Sequence, residues 1–159
     1  NLDYSDWYKY VSIKRNKKRE KKLEKFIGVD LKTPYNVVNR NYGSPPHPET
    51  IDKIDIYNEY PIIEMDFLGF DNLFDWMGIL EHAKEVHTVE TSLCYLLTLM
   101  SINNVTVYAR KKYLSFPLAS FGYVNKIYSK GWKYVTSTCI EEQNWRALGI
   151  PVDNTGIQL

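Results

Sequence analysis

The chain has 159 residues, a length that fits one domain with its own hydrophobic core. Apolar residues make up 44% of it and charged residues 25%, which is ordinary for a soluble globular protein and excludes an intrinsically disordered one. The net charge of +1 excludes a protein-wide positive field that would gather nucleic acid or anionic lipid. We therefore expect any basic site to be local, and we do not expect nucleic acid as a partner.

Cysteine, histidine and hydropathy patterns exclude several other classes. The apolar run Leu93–Met100 is much shorter than the roughly 20 residues that span a bilayer, and no apolar signal region follows a basic leader. Cys94 and Cys139 lack CxxC neighbours, and the histidines lack HxxxH or HExxH spacing, so no metal site is predicted. The two cysteines could pair, but Cys94 lies in the apolar run, where a free thiol behaves as a small hydrophobe, and this favours a reducing compartment. We expect a cytoplasmic protein without a membrane span and without a cofactor.

Residues 6–27 are predicted to form a helix that begins at Asp6 and ends at Gly28. The run KRNKKREKKLEK within it permits two interpretations. It is either a solvated helix face, with Glu20 and Glu24 interleaved among the lysines, or a surface that contacts a polyanion. The sequence favours the solvated face, because no aromatic stacking pattern accompanies the lysines.

Apolar stretches bounded by turn residues predict four strands: Tyr35–Val38, a stretch containing Ile62, Ile63, Met65 and Phe67, Glu85–Val89, and Val105–Ala109. Two helical segments alternate with them. The first is capped by Asp71 or Asn72, and the second is Thr91–Met100. After Arg110 the pattern weakens and indicates one more strand at Trp132–Val135 and a short helix at Glu141–Leu148.

Strands that alternate with helices predict a parallel α/β sheet with flanking helices, in a Rossmann-like three-layer single domain. We divide the chain into a basic helical segment, residues 1–30, a core, residues 35–110, and a C-terminal extension, residues 111–159.

Polar residues lie at or directly after the ends of the first three strands: Arg40 and Asn41 after the first, Glu64 and Asp66 at the end of the second, and Glu90, Thr91 and Ser92 after the third. In a parallel sheet, ligands bind outside the carboxyl ends of the strands. Hydroxyls and amides at a helix start suit a diphosphate, and the planar fork of arginine suits phosphate oxygens. Glu90 would repel a diphosphate unless it turned toward a ribose or sugar hydroxyl. Simpler interpretations stay open, namely an N-cap at Thr91 and a surface ion pair at Arg40.

Several nucleotide and hydrolase signatures are missing from the sequence. It contains no GxGxxG, no GxxxxGK[ST], no GxSxG and no DxD. A phosphate site would therefore depend on amides, hydroxyls and arginine rather than on a metal ion. A small hydrolase or phosphatase ranks last among the functions considered, because no nucleophile with a base is recognisable.

The segment LFDWMGILEHAKEVHTVETSLCYLL resembles the nucleotide-binding lobe of GT-B glycosyltransferases, in particular the fucosyltransferase-like and heptosyltransferase-like groups. There a helix ending in a buried alanine leads to a strand, and an acidic residue with a Ser/Thr pair then opens the next helix. YNVVNRN is similar to the preceding strand and arginine loop of that lobe. The similarity covers about residues 35–110.

The resemblance implies a lobe that binds the diphosphate of a nucleotide-sugar donor without metal. By position, Arg40 and Asn41 would contact phosphate, Thr91 and Ser92 would receive the diphosphate, and Glu64 or Asp66 would lie near the nucleoside. His87 would be structural. Such enzymes have a second lobe that binds the acceptor, so either an N-terminal lobe is missing before Asn1 or the domain binds without catalysing. No catalytic residue is assigned.

The alternative function is a non-catalytic binding or assembly module. In that case the basic helix, residues 14–25, would contact a polyanion or an acidic partner. A salt-dependent interaction with a nucleic acid probe separates this hypothesis from the donor lobe.

Overall fold

The computed structural model describes residues 4–42, 54, 60–66, 71–108, 128, 131–135 and 157–158. The strands are β1 (Asn36–Asn39), β2 (Ile62–Glu64), β3 (Glu85–Val89), β4 (Val105–Tyr108), β5 (Lys133–Val135) and β6 (Ile157–Gln158). The α-helices are α1 (Lys17–Ile27), α2 (Met77–His82) and α3 (Ser92–Leu99). Two 3₁₀ helices, Tyr4–Tyr10 and Leu73–Trp76, precede α1 and α2.

The six strands form one sheet in the order β2-β1-β3-β4-β5-β6. Every neighbouring pair from β2 to β5 is parallel, and β6 is antiparallel to β5. An order that begins 2-1-3-4-5 is one of the common doubly wound arrangements, in which the chain reverses its direction of winding between β1 and β3. The predicted fold class, a Rossmann-like three-layer α/β fold built on a parallel sheet, is confirmed.

The sheet carries apolar side chains on both faces, as expected for parallel strands. Val37 and Val86 lie in the larger core cluster, to which Leu23 of α1, Leu80 of α2 and Leu97 of α3 contribute. Val38 and Val89, an odd number of residues from Val37 and Val86 along their strands, lie in a smaller cluster with Ile54 and Tyr108 on the other face. Cys94, in the larger cluster, is a buried free thiol, as predicted.

The prediction of one continuous helix over residues 6–27 is wrong. The 3₁₀ helix ends at Tyr10, residues 11–16 are not helical, and α1 begins only at Lys17. The β-branched Val11 and Ile13 weaken the helix in this region. Asn16 then starts α1, because its side-chain oxygen accepts a hydrogen bond from the amide of Arg19 at 3.2 Å.

Most of the other predicted elements occur within a few residues of their expected positions. The second helical segment begins at Asn72, whose side chain and that of Asp75 form a reciprocal capping box. The predicted strand at Trp132–Val135 is observed as β5, and it extends the parallel sheet into the C-terminal segment. The helix predicted at Glu141–Leu148 lies outside the described residues.

Candidate functional site at the carboxyl ends of β1 and β3

The chain reverses its direction of winding between β1 and β3, and this topological switch point brings two predicted polar segments to one edge of the sheet. They are the loop of Arg40 and Asn41 and the segment Glu90–Ser92. β1 and β3 are parallel neighbours, and Asn39 pairs with Thr88 near their carboxyl ends. The loop that holds Arg40 and Asn41 therefore leaves the sheet beside the segment Glu90–Ser92. This is the place where open α/β sheets bind their ligands.

Asn39 is the residue that joins these two loops. It is buried, and its side-chain amide donates hydrogen bonds to Oγ1 of Thr88 at 2.9 Å and to Oγ1 of Thr91 at 3.5 Å. Its side-chain oxygen accepts the backbone N–H of Asn41 at 3.1 Å. Asn39 was not among the predicted site residues. The sequence feature that could have identified Asn39 is its position as a polar residue at the end of a buried strand, directly before a turn.

Arg40 and Glu64, predicted from separate strands, form an ion pair. Nε of Arg40 lies 3.3 Å from Oε1 of Glu64, and one of its terminal nitrogens donates to the carbonyl oxygen of Ile54 at 2.7 Å. The side-chain amide of Asn41 donates to the carbonyl oxygen of Met65. The loop after β1 is thus attached to the carboxyl end of β2 as well as to that of β3. The open interpretation of Arg40 as part of an ion pair is observed.

Thr91 acts as the N-cap of α3. Its backbone is extended, and its hydroxyl oxygen accepts the amide of Leu93 at 3.3 Å. Ser92, the first residue of α3, is exposed. The N-cap interpretation is therefore observed, and Thr91 engages the amides of both Leu93 and Cys94. The positive end of the helix dipole is directed to the same edge of the sheet as the loop after β1.

Glu90 and Asp66 have different surroundings. Glu90 is buried, and its Oε1 accepts a hydrogen bond from the hydroxyl of Tyr128 at 3.2 Å. The ring of Tyr128 stacks on Trp132 and meets Tyr95 of α3 edge-on. Asp66 is exposed after β2, and among the described residues no hydrogen bond or ion pair joins it to another predicted site residue. The described contacts therefore do not connect Asp66 to Arg40, Glu64 or the segment Glu90–Ser92.

A second row of polar side chains lies across β3 and β4. Nδ1 of His87 is 3.2 Å from the hydroxyl of Tyr108, and Nε2 is 3.2 Å from Oε2 of Glu85. Burial lowers the pKa of His87 and outweighs the opposing effect of Glu85. The neutral ring can donate from Nε2 to the carboxylate and accept from the tyrosine at Nδ1. Burial also raises the pKa of Tyr108, against the smaller effect of Arg40.

The lowered pKa of His87 predicts a pH-dependent stability. In the unfolded chain the imidazole takes up a proton near its ordinary pKa of 6.5, whereas in the folded protein it does so only at lower pH. The free energy of unfolding should therefore be highest above this value and decrease as the pH falls below it. Urea unfolding of the protein and of His87→Gln between about pH 5 and pH 7.5 measures this contribution. An equally steep pH dependence in both proteins would contradict it.

Within the described ranges, no helix is long and apolar enough to cross a bilayer. The same ranges contain no group of three His, Cys, Asp or Glu side chains that could hold a metal ion. Comparisons with protein-family models, curated proteins and solved structures gave no match to this chain.

Proposed function

We propose that this chain is the donor-binding lobe of a metal-independent sugar transferase, and that it binds the diphosphate of a nucleotide sugar at the carboxyl ends of β1 and β3. The observation that carries the proposal is the junction at Asn39. Its side chain links the loop of Arg40 and Asn41 to the N-cap of α3. An arginine loop and a helix start at the switch point of a doubly wound sheet are the elements that a diphosphate needs.

The proposed roles follow from the chemistry of the groups. Arg40 would bind phosphate oxygens through its planar guanidinium, which Glu64 and the carbonyl of Ile54 hold in position. The amides at Thr91 and Ser92 and the positive end of α3 would bind the second phosphate. Glu90, which the hydroxyl of Tyr128 engages, would contribute to sugar or ribose recognition. Asn41 and Glu64 remain proposed donor contacts, whereas no described contact supports such a role for Asp66.

In a sugar transfer, the bond between the anomeric carbon and the diphosphate oxygen breaks, and negative charge develops on the leaving diphosphate. Fixed positive groups that face this charge lower the barrier. Arg40 and the start of α3 would supply these groups without a metal ion. The acceptor site and the catalytic base would belong to a second lobe, as the family resemblance implies.

The proposal predicts that Arg40→Ala weakens the binding of a nucleoside diphosphate. The loss of a charge-assisted hydrogen bond corresponds to about 1.5 kcal/mol or more, which is at least about a tenfold increase in Kd. Isothermal titration of the protein with UDP, GDP and ADP in the presence of EDTA provides the measurement.

Two further variants separate the loss of the guanidinium group from a general loss of positive charge. Arg40→Lys keeps the charge but not the fork and should have an intermediate Kd. Lys32→Ala removes an exposed positive charge from the loop before β1 and should leave Kd unchanged. An unchanged Kd in Arg40→Ala, or an equal loss in Lys32→Ala, would refute the role of Arg40.

A further inference from the structure

The charged residues of α1 are separated onto two opposite sides of the helix. Glu20 and Leu23 are buried, and the carboxylates of Glu20 and Glu24 lie close to Gly78 of α2. These positions share one helical stripe, because residues three and four apart lie on the same side. Glu20 pairs with Arg15 and Lys17 on this side. Both glutamates are thus separated in space from the lysines of the opposite side, although they are interleaved with them in the sequence. The exposed lysines agree with the favoured interpretation of a solvated helix face, and the two glutamates lie on the other side of the helix.

The opposite side of α1 carries four exposed lysines, which we call the lysine face: Lys18, Lys21, Lys22 and Lys25. Their spacing of three, one and three residues places them on one stripe, which extends about 10 Å along the helix axis. All four line a groove of about 480 Å³. The lysine face is thus a local concentration of positive charge in a chain whose net charge is only +1.

The acidic residues of this groove are already engaged by partners. Asp75 forms a two-bond ion pair with Arg19, with distances of 2.8 and 2.7 Å. Asp71 accepts a hydrogen bond from Nε1 of Trp76 at 2.7 Å. These two carboxylates line the same groove as the lysine face. Asp75 pairs across the groove with Arg19 of α1, so its carboxylate neutralises that guanidinium and compensates the charge of the lysine face only in part.

We infer that the lysine face binds the phosphate backbone of single-stranded nucleic acid without sequence preference. Lysine ammonium groups on flexible stems suit a row of phosphates, and a groove can follow one strand. Phe26, one helical turn after Lys22, has 62% of its surface exposed and offers a ring on which an unpaired base can stack. A duplex has no unpaired base for this ring, and a flat bilayer does not fit a groove that contains two carboxylates.

The number of lysines sets the expected salt dependence. Four phosphate contacts on a single strand give a slope of about −2.8 for log affinity against log salt. The affinity should therefore decrease about 50-fold between 50 and 200 mM salt. Fluorescence anisotropy of the full chain with a labelled oligothymidylate measures this slope directly.

Two fourfold variants with the same change in charge test the site. In one, Lys18, Lys21, Lys22 and Lys25 are each replaced by glutamine. In the matched control, four exposed lysines outside the lysine face, Lys14, Lys32, Lys84 and Lys133, are replaced instead. The first variant should lose at least about tenfold in affinity and most of the salt slope, while the control keeps both. Circular dichroism verifies that both variants fold.

A third variant and two further probes distinguish single-stranded nucleic acid from an acidic polypeptide or a membrane as the partner of the lysine face. Phe26→Ala should weaken binding of the single strand and leave the salt slope unchanged, because it removes stacking and no charge. No binding of the oligonucleotide at 50 mM salt, or an equal loss in both fourfold variants, would overturn the inference. Binding of polyglutamate or phosphatidylserine vesicles through the lysine face, without binding of the oligonucleotide, would overturn it as well.

Discussion

Replacing Trp76 with alanine should lower the free energy of unfolding by about 3–5 kcal/mol, because it leaves a large cavity in the core. Trp76 is 1% exposed and lies where the 3₁₀ helix Leu73–Trp76 continues into α2. Its ring belongs to the larger core cluster, and its Nε1 donates to Asp71. A loss of this size is a large part of the 5–15 kcal/mol that stabilises a typical domain.

Urea unfolding of three variants tests the importance of Trp76. Trp76→Phe keeps most of the apolar volume but not the hydrogen bond to Asp71, and it should cost about 1–2 kcal/mol. Phe74→Ala removes a half-exposed ring from the same 3₁₀ helix and should cost much less than Trp76→Ala. Similar costs for Trp76→Ala and Phe74→Ala would show that this part of the core is not packed as described.

The second large effect is expected at Arg15, which neutralises a buried carboxylate. The side chain of Glu20 is 2% exposed, and Arg15 binds both its oxygens, at 2.9 and 2.6 Å. Arg15 also reaches Glu81 at 2.7 Å, so it joins α1 to the end of α2. Arg15→Ala leaves Glu20 with Lys17 at 3.3 Å as its remaining described cationic partner. We expect a loss of about 3 kcal/mol, mostly from the uncompensated charge.

The cost of Arg15→Ala should depend on pH in a defined direction. The hydrogen bonds from Arg15 hold the pKa of Glu20 below its ordinary value of 4.5. The stabilisation is therefore present above this value and is lost as the pH falls through the lower pKa of the folded protein. Urea unfolding should show a large difference between the protein and Arg15→Ala at pH 7 and a smaller one at about pH 3.

A matched pair of variants separates charge from packing at this site. Adding Glu20→Gln to Arg15→Ala removes the uncompensated charge and should restore part of the lost stability at pH 7. Lys14→Ala, at the exposed neighbouring position, should change stability by less than about 0.5 kcal/mol. A double variant that is less stable than Arg15→Ala alone would contradict the charge explanation.

Much of the sheet could be predicted from the sequence because its strands are short apolar runs between clear turn residues. Glu85–Val89 was predicted with its observed bounds, and the cap at Asn72 was one of two predicted starts. The order of the strands was not predictable, because the pairing of β1 with β3 depends on contacts between residues that are far apart in the sequence. The break before α1 is not evident from the sequence, because the charged run follows the aromatic residues without an intervening Pro or Gly.

The candidate site was predictable only in part, for a similar reason. The sequence predicts that Arg40 faces one crevice with Thr91 and Ser92 if their strands are neighbours, and β1 and β3 are neighbours in the sheet. The role of Asn39 was not visible, because its partners Thr88 and Thr91 lie 49 and 52 residues away along the chain. The separation of the exposed lysines from Glu20 and Glu24 is not visible in the linear sequence, because it depends on which side of α1 packs against α2.

Amide proton–nitrogen NMR of the full chain, titrated with UDP, GDP, ADP and CMP in the presence of EDTA, tests the diphosphate site most directly. We expect a nucleoside diphosphate to shift the amide signals of Arg40, Asn41, Thr91 and Ser92 together, with one common saturation curve. Signals of the lysine face should not follow that curve. If none of the nucleotides moves these four amides, or if the shifts are confined to α1, the loops after β1 and β3 do not form a diphosphate site.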